Sequence, residues 1–488
     1  MLTTLKFTDD IQERKYHGDL TAKENVYLII KQAKREIPDY FKSFFPIFSW
    51  LPNYNRKWIL QDMIAGITVG IMLVPQSLAY AKLANLPLAY GLYTSFICPI
   101  LYPLMGTSRE VSVGSTAMLS LIIGSTITRV TKINPDFSPV DIAVALTFLS
   151  SIITAILGIF KLGIILDLIP KPVIMGFTSG AALTIILTQV PTLLGIPNVS
   201  SSDSTTTVIY NLFSNIPKLD WVDLVFGLCS LSFIFTLNFV SKTLSPKYPV
   251  MRFLKGLSIG LTVLIFTIIS FVVFKTRPDF DLKIVKTVPQ GFGYIGTPNL
   301  DPKLLAEVSL DLLPVILIGV LEHVALCKAF ARQASYQISS SQELFALGVS
   351  NLCASFFSAY PATGSFTGSA IVAQSGVHTP LASSFTGIVV LMAISFLTPA
   401  FFYIPNATLA AIIVVSASSL ISSYKTVFHL WKIQPMDCLV FLLAAFATFF
   451  AGTEIGIGSS LGLAFLVLIY RIARPHLYLL SQVINRTN

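Results

Sequence analysis

Eight long runs of predominantly apolar residues constrain this chain more than any other feature: 62–82, 139–160, 172–190, 221–241, 255–274, 308–330, 380–402 and 437–451. Crossing the hydrocarbon core of a bilayer as a helix takes roughly 20 such residues. Six shorter or interrupted runs, at 91–106, 114–128, 343–358, 366–376, 407–422 and 455–472, bring the total to about 14 segments. Only 12% of the 488 residues are charged while 54% are hydrophobic. A soluble domain carries roughly 25% charged residues, so this chain cannot clothe a body of its size for water. It suffices if the outside faces lipid. Within hydrocarbon a helix bonds all its backbone polar groups internally, and the pattern predicts an all-α integral membrane protein.

An even number of spans leaves both termini on one side. With the N-terminus inside, the cytoplasmic connections hold Arg109, Lys161, Lys171, Lys242, Lys247, Arg252, Lys255, Lys328, Arg332, Lys425 and Lys432. The outer connections hold Arg129 and Lys132, and a long stretch with Lys275, Arg277, Lys283 and Lys286. That stretch runs against the positive-inside rule, but its length lessens the conflict. The expected organisation is a cytoplasmic segment at 1–57, a membrane domain at 58–475 and a short cytoplasmic tail at 476–488. The first residues are polar, so no cleavable signal peptide is expected.

The net charge of +9 is spread through the connections and forms no concentrated basic face, which argues against nucleic acid as a partner. Cys98, Cys229, Cys327, Cys353 and Cys438 all lie in apolar surroundings without metal or redox spacing. There is no Walker loop, no histidine pair at metal spacing and no nucleophile set with supporting context. The chain therefore reads as neither an enzyme nor a carrier of a cofactor or metal. Asn198-Val199-Ser200 is a glycosylation sequon in an expected outer loop, 191–220, whose tip is polar and flexible. A second match, Asn406-Ala407-Thr408, sits tight against two spans.

Two short segments break the spanning pattern. One is Val111-Ser112-Val113-Gly114-Ser115-Thr116-Ala117, the other Thr363-Gly364-Ser365-Phe366-Thr367-Gly368-Ser369. Each starts with a stretch able to extend and continues with small hydroxyl residues opening a helix. Each is third in its half if the chain divides seven and seven. Irregular backbone at membrane depth is tolerated where it is buried in protein or lines a cavity, and paired breaks of this kind mark transporter sites. A helix N-terminus carries free N–H donors and about half a positive charge. Two of them facing each other make an anion site from Gly114, Ser115, Thr116, Ser365, Phe366, Thr367 and Gly368 without a formal charge. The competing reading is that small residues merely permit close helix packing.

Gln76 follows Pro75 inside the first span, with Tyr80 one turn on; a proline break frees backbone and lets the glutamine face a polar cavity. The alternative is a packing kink. Glu322 and His323 lie inside the eighth span. An acid at mid-membrane is a functional candidate by default, its alternative being a structural pair with Lys328. Asp311, Glu343 and Glu454 fall near span ends, where access to headgroups would account for them.

The run Val74-Pro75-Gln76-Ser77-Leu78-Ala79-Tyr80-Ala81, with Leu86-Pro87, Tyr90-Gly91-Leu92-Tyr93, Gly106-Thr107-Ser108-Arg109 and Val111-Ser112-Val113-Gly114, resembles the signature of the SulP sulfate permeases. So do Leu321-Glu322-His323-Val324-Ala325, Gln342-Glu343-Leu344, Tyr360-Pro361-Ala362-Thr363-Gly364-Ser365-Phe366 and 401–409, which are similar to the fungal branch. The likeness runs from about residue 38 to 475 and its motifs keep their order. It implies a seven-plus-seven inverted repeat, as in uracil transporters, with a core moving against a gate. It places the anion between the third and tenth helices, beside the first and eighth. By motif, Gln76, Tyr80, Thr116, Phe366 and Thr367 would line the site, and Glu322, with His323 beside it, would couple protons.

The resemblance also implies sulfate:proton symport by alternating access, a plasma-membrane location and a homodimer. Two departures stand out. Where relatives read Ser-Phe-Ser-Arg-Ser, this chain has Gly368 in the arginine position, which should weaken divalent anion binding or shift preference, and a glycine leaves backbone open to the substrate. Relatives usually carry a C-terminal STAS domain after the last span, where the expected organisation of this chain has only the short tail at 476–488. Bicarbonate, molybdate or a nucleobase on the same fold, and a non-transporting anion sensor, remain the alternatives.

Overall fold

The computed structural model describes residues 43–163, 169–197, 199, 204–248, 251–276, 282–286, 288–289, 291–292 and 295–473. Asn198, most of the expected N-terminal segment and the expected tail lie outside the described residues. Those before Tyr54 hold one short helix, Ile47–Trp50.

Among the described residues from Tyr54 onward, fourteen helices correspond to the expected segments, with three further short ones in the connections. The first seven are α1 (Ile59–Leu83), α2 (Ala89–Met105), α3 (Ala117–Ile133), α4 (Pro139–Ile159), α5 (Lys171–Leu193), α6 (Trp221–Leu244) and α7 (Met251–Thr276). The second seven are α8 (Leu312–Gln333), α9 (Ser340–Ser355), α10 (Phe366–Gln374), α11 (Leu381–Met392), α12 (Asn406–Ser418), α13 (Pro435–Ala451) and α14 (Thr453–Ala473). Eight of the spans are long and apolar enough to cross a bilayer. Two-residue strands precede the third helix of each half: β1 (Val113–Gly114) before α3 and β2 (Thr363–Gly364) before α10. They pair antiparallel, Val113 with Gly364 and Gly114 with Thr363. Equivalent elements of two halves meeting head to head are what an inverted repeat requires.

The packing contains two sets of closely associated helices, joined where α7 and α12 lie on α1. In the core, α4 lies along α9 and α11 packs on α1 and α2; in the gate, α5 packs on α12 and α13, α13 on α14, and α6 on α7. Glycine sets how closely α4 and α9 approach. A Cβ on Gly158 would lie 2.4 Å from Phe345 N, and one on Gly348 2.4 Å from Ala155 N. Backbone contact this close needs the missing side chains. Across the most apolar window of each span, α6 and α14 bury only 22% of residues, against 61% for α4 and α5. The first two are the lipid-facing periphery.

Four elements differ from the sequence expectation. The run 308–330 is not one helix: a separate helix, Pro302–Ser309, ends before α8. Arg129 explains the break. Its guanidinium donates to Glu307 O at 2.8 Å and to Asp311 Oδ2 at 2.8 Å, while Asp311 N turns to Val308 O. Asp311 is buried and ion-paired rather than reaching headgroups. The run 380–402 leaves α-geometry after Met392, passing through a wide turn at Ala393–Leu397 and a tight one at Thr398–Tyr403. Pro399, lacking an N–H, cannot continue the ladder. The expected flexible outer loop contains a helix, Thr205–Asn215, capped by Ser204 Oγ, which accepts from Thr207 N at 3.4 Å. The connection before α13 holds Tyr424–Ile433, whose exposed Tyr424, Phe428 and Trp431 repeat at helical spacing between lysines, the pattern of an interfacial helix.

Candidate functional site

Both broken segments end at helix N-termini, and the β1–β2 pair brings those termini side by side. Ser365 N donates to Ser112 O at 2.8 Å, and Ser112 N donates to Ser369 Oγ at 3.0 Å, so each segment ties down the start of the other. The pair is held from behind by α9. Glu343 and Asn351 lie eight residues apart on it, about 12 Å along the axis. Asn351 receives Ala362 N at 2.8 Å and donates to Ala362 O at 2.9 Å, fixing the approach to β2. Glu343 fixes the approach to β1 by accepting from Thr107 N at 2.7 Å, Ser108 N at 3.1 Å and Thr107 Oγ1.

The other carboxylate oxygen of Glu343 accepts from Tyr102 Oη at 2.7 Å, His323 Nε2 at 3.1 Å and Cys327 Sγ at 3.4 Å. Glu343 is therefore fully buried and saturated, which overturns its reading as an acid at a span end with access to headgroups. His323, Cys327 and Glu343 lie close enough together to hold a metal ion, but the carboxylate is already spent on these donors. A buried carboxylate carrying so many hydrogen bonds is a structural hub.

Glu322 is the opposite case. It is 5% exposed, and its described partner is Thr116 Oγ1, which donates at 3.2 Å. Thr116 caps the start of α3 with extended backbone and leaves the first-turn N–H groups unfilled by its side chain. The adjacent cavity, about 20 Å³, is lined by Glu322, Phe366 and Met118 from the core and by Phe177, Ile457 and Leu461 from the gate. That is room for about one water.

The sequence-predicted residues distribute as follows. Gln76, Tyr80, Thr116, Glu322, Phe366 and Thr367 come together where α1, α3, α8 and α10 meet. Gln76 Nε2 lies 2.6 Å from Tyr80 Oη and 3.3 Å from Thr367 Oγ1. Ser365 caps α10, its Oγ accepting from Gly368 N at 3.3 Å. Ser115 turns away from the helix ends, its hydroxyl bonded to Ser95 at 3.0 Å and Ser77 at 3.2 Å. Gly114 lies in β1 opposite Thr363. His323 also faces away, toward Glu343 and the ring of Tyr102. Glu322 takes Thr116 as partner rather than the Lys328 considered from sequence.

Gly368 departs from its sequence reading in direction. A Cβ there would lie 3.0 Å from both Cβ and Oγ of Ser112. The space over this glycine is closed by Ser112, the residue before β1, not open to substrate. Sequence reasoning missed Ser416, whose Oγ on α12 lies 3.3 Å from Gln76 Nε2. It is one of three serines and threonines within the apolar stretch of α12, and nothing in its spacing sets it apart.

The model of the sulfate permease family matches residues 59–444. The chain belongs to the sulfate permease family. It is 41% identical over 449 residues to a probable sulfate permease of Schizosaccharomyces pombe, covering 91% of this chain and 53% of that protein. Sulfate permease 2 of Saccharomyces cerevisiae is 37% identical over 460 residues, covering 89% of this chain and 51% of the permease. The chain thus spans about half the length of these curated relatives. Among solved structures, that of SLC26A9 superposes with a TM-score of 0.81 at 23% identity, over 93% of this chain and 72% of that one. The transmembrane domain of the cyanobacterial bicarbonate transporter BicA gives 0.69 at 19% identity, over 84% and 98%. At these identities the likeness is one of fold, and it agrees with the two seven-helix halves described above.

Proposed function

We propose that this chain is the membrane part of a secondary active oxyanion transporter that takes up sulfate with protons by alternating access. The observation that carries the reading is the meeting of two helix N-termini, α3 and α10, next to the one-partner carboxyl of Glu322. The N-termini supply donors and positive partial charge to an anion. Glu322, in a largely apolar wall, supplies an exchangeable proton. The core would carry the site past the gate, and Phe366 and Glu322 face the gate across the cavity that must open. The family name and the sulfate permeases among the relatives support sulfate as the substrate.

Electrostatics sets what coupling must accomplish. An inside-negative potential opposes each negative charge moved inward by about 2.3 kcal/mol per 100 mV. A divalent anion with one proton still carries one negative charge in; two protons neutralise it and three make uptake electrically favourable. The proposal includes both termini in the cytoplasm, the plasma membrane as location and a homodimer as assembly. Radiolabelled sulfate uptake into proteoliposomes tests it directly. An inward proton gradient should drive accumulation above equilibrium, and excess unlabelled sulfate should abolish it. Stronger competition by molybdate, bicarbonate or uracil than by sulfate would reassign the substrate. Anion binding without accumulation would make the protein a sensor.

A further inference from the structure

Gln76 places one end of its amide among three hydroxyls and leaves the other end empty. The Nε2 end lies 2.6 Å from Tyr80 Oη, 3.3 Å from Thr367 Oγ1 and 3.3 Å from Ser416 Oγ. Oε1 has no partner although the side chain is only 1% exposed. With the nitrogen placed there the buried carbonyl oxygen has no donor, whereas each hydroxyl has a proton to give and a carbonyl oxygen can accept. Half a turn about the last side-chain bond gives the carbonyl, with its two lone pairs, donors among these hydroxyls. It sets the carbonyl among three O–H donors and turns the NH2 toward the empty end. Two N–H donors beside the start of α10 then complement an anion.

The three hydroxyls come from different parts of the molecule. Tyr80 is on the same helix as Gln76, and Thr367 is in the first turn of α10; both belong to the core. Ser416 belongs to α12, in the gate. Many buried hydroxyls on the membrane helices donate to the carbonyl one turn back, as Ser77 on α1 does to Leu73, and on α4 Thr147 to Ala143 and Thr154 to Ser150. Ser416, 4% exposed, instead reaches across to Gln76, with Tyr80 also in hydrogen-bonding range. A bond between the two moving bodies must break when they part.

We propose that Ser416 is a gate-borne positioning residue. With Tyr80 and Thr367 it holds the Gln76 carbonyl so that the amide NH2 points at the anion, and it does so only while core and gate are docked as they are here. The anion is then held more tightly in this arrangement than in the one with α12 withdrawn, so affinity differs between the two faces of the membrane. This rests on the transport reading above.

The test is the concentration dependence of labelled sulfate transport by the full chain, measured from each face in vesicles of uniform orientation. Ser416→Ala should raise KM about tenfold from one face only, the loss of one hydrogen bond to a buried polar group. Maximal rate should change less than about twofold. Ser416→Thr should restore the wild-type KM, and Ser416→Cys, similar in shape but a weaker donor, should fall between. A packing role alone would not produce this one-sided effect or its rescue by hydroxyl. An unchanged KM, or an equal rise from both faces, would overturn the inference while leaving transport intact. Absence of sulfate transport by folded wild-type protein would defeat the transport reading, and the inference with it.

Discussion

Two buried acids, 21 residues apart in sequence, one next to His323 in the chain and the other hydrogen-bonded to it, live in opposite surroundings. Glu343 accepts from Tyr102, Thr107, Ser108, His323 and Cys327, with both oxygens used. Glu322 has Thr116 as its described partner and faces a small apolar cavity between core and gate. Burying a carboxylate costs several kcal/mol unless hydrogen bonds and charge offset it. At Glu343 the offset is complete, and the carboxylate ties α2, α8 and α9 to the segment that leads into β1. At Glu322 it is incomplete, so the group stays chemically available. Equal burial therefore does not mean equal surroundings; the number of donors separates the saturated Glu343 from Glu322, the acid proposed to carry protons.

The comparison is broken most forcefully at Glu343. Glu343→Gln should cost about 3–5 kcal/mol, because a neutral amide cannot serve as acceptor to all these donors and leaves buried groups unpaired. Loss of monodisperse protein, or a large fall in thermal midpoint in detergent, is the expected reading. Normal stability would mean that the hub is dispensable.

A smaller effect is expected at the strand pair. Gly368→Ala should lower sulfate transport several-fold by pressing on Ser112, whose atoms lie 3.0 Å from the new Cβ, and Ser112→Gly in the same chain should recover most of it. For the same reason Gly368→Arg should not raise sulfate affinity. A gain of affinity in that variant would show that β1 yields more easily than its contacts suggest.

Thr116→Val should do least. It removes the hydroxyl that bonds Glu322 and should raise the sulfate KM by about two- to fivefold, the worth of roughly one hydrogen bond. Thr116→Ser should be neutral. Equal effects from both variants would point to the methyl group, not the hydroxyl, as what matters.

Much of this was legible in the amino-acid sequence because lipid imposes a coarse and unforgiving code. Apolar length predicts about fourteen segments, and among the described residues a helix answers to each of them. Gly and Ser at 111–117 and 363–369 mark the two breaks, where the backbone leaves helix for the short strands. Other features depend on partners distant in sequence. Nothing local distinguishes Glu343 as a hub, because its donors lie as far away as Tyr102. Arg129 breaks the helix before Leu312 from nearly two hundred residues upstream. Gly368 signals a missing arginine when read along the chain, while its close neighbour is Ser112 on the other segment. Ser416 is invisible for the same reason. Periodicity reports which face a residue occupies, not which hydroxyl waits across the gap.

The central claim is that Glu322 is the working acid, and its most direct test is proton-driven sulfate uptake by Glu322→Gln in proteoliposomes, beside wild type. The variant should remain folded, with thermal stability close to wild type, and its uptake should no longer respond to an inward proton gradient. A gradient response equal to wild type would contradict the account and return Glu322 to a structural role.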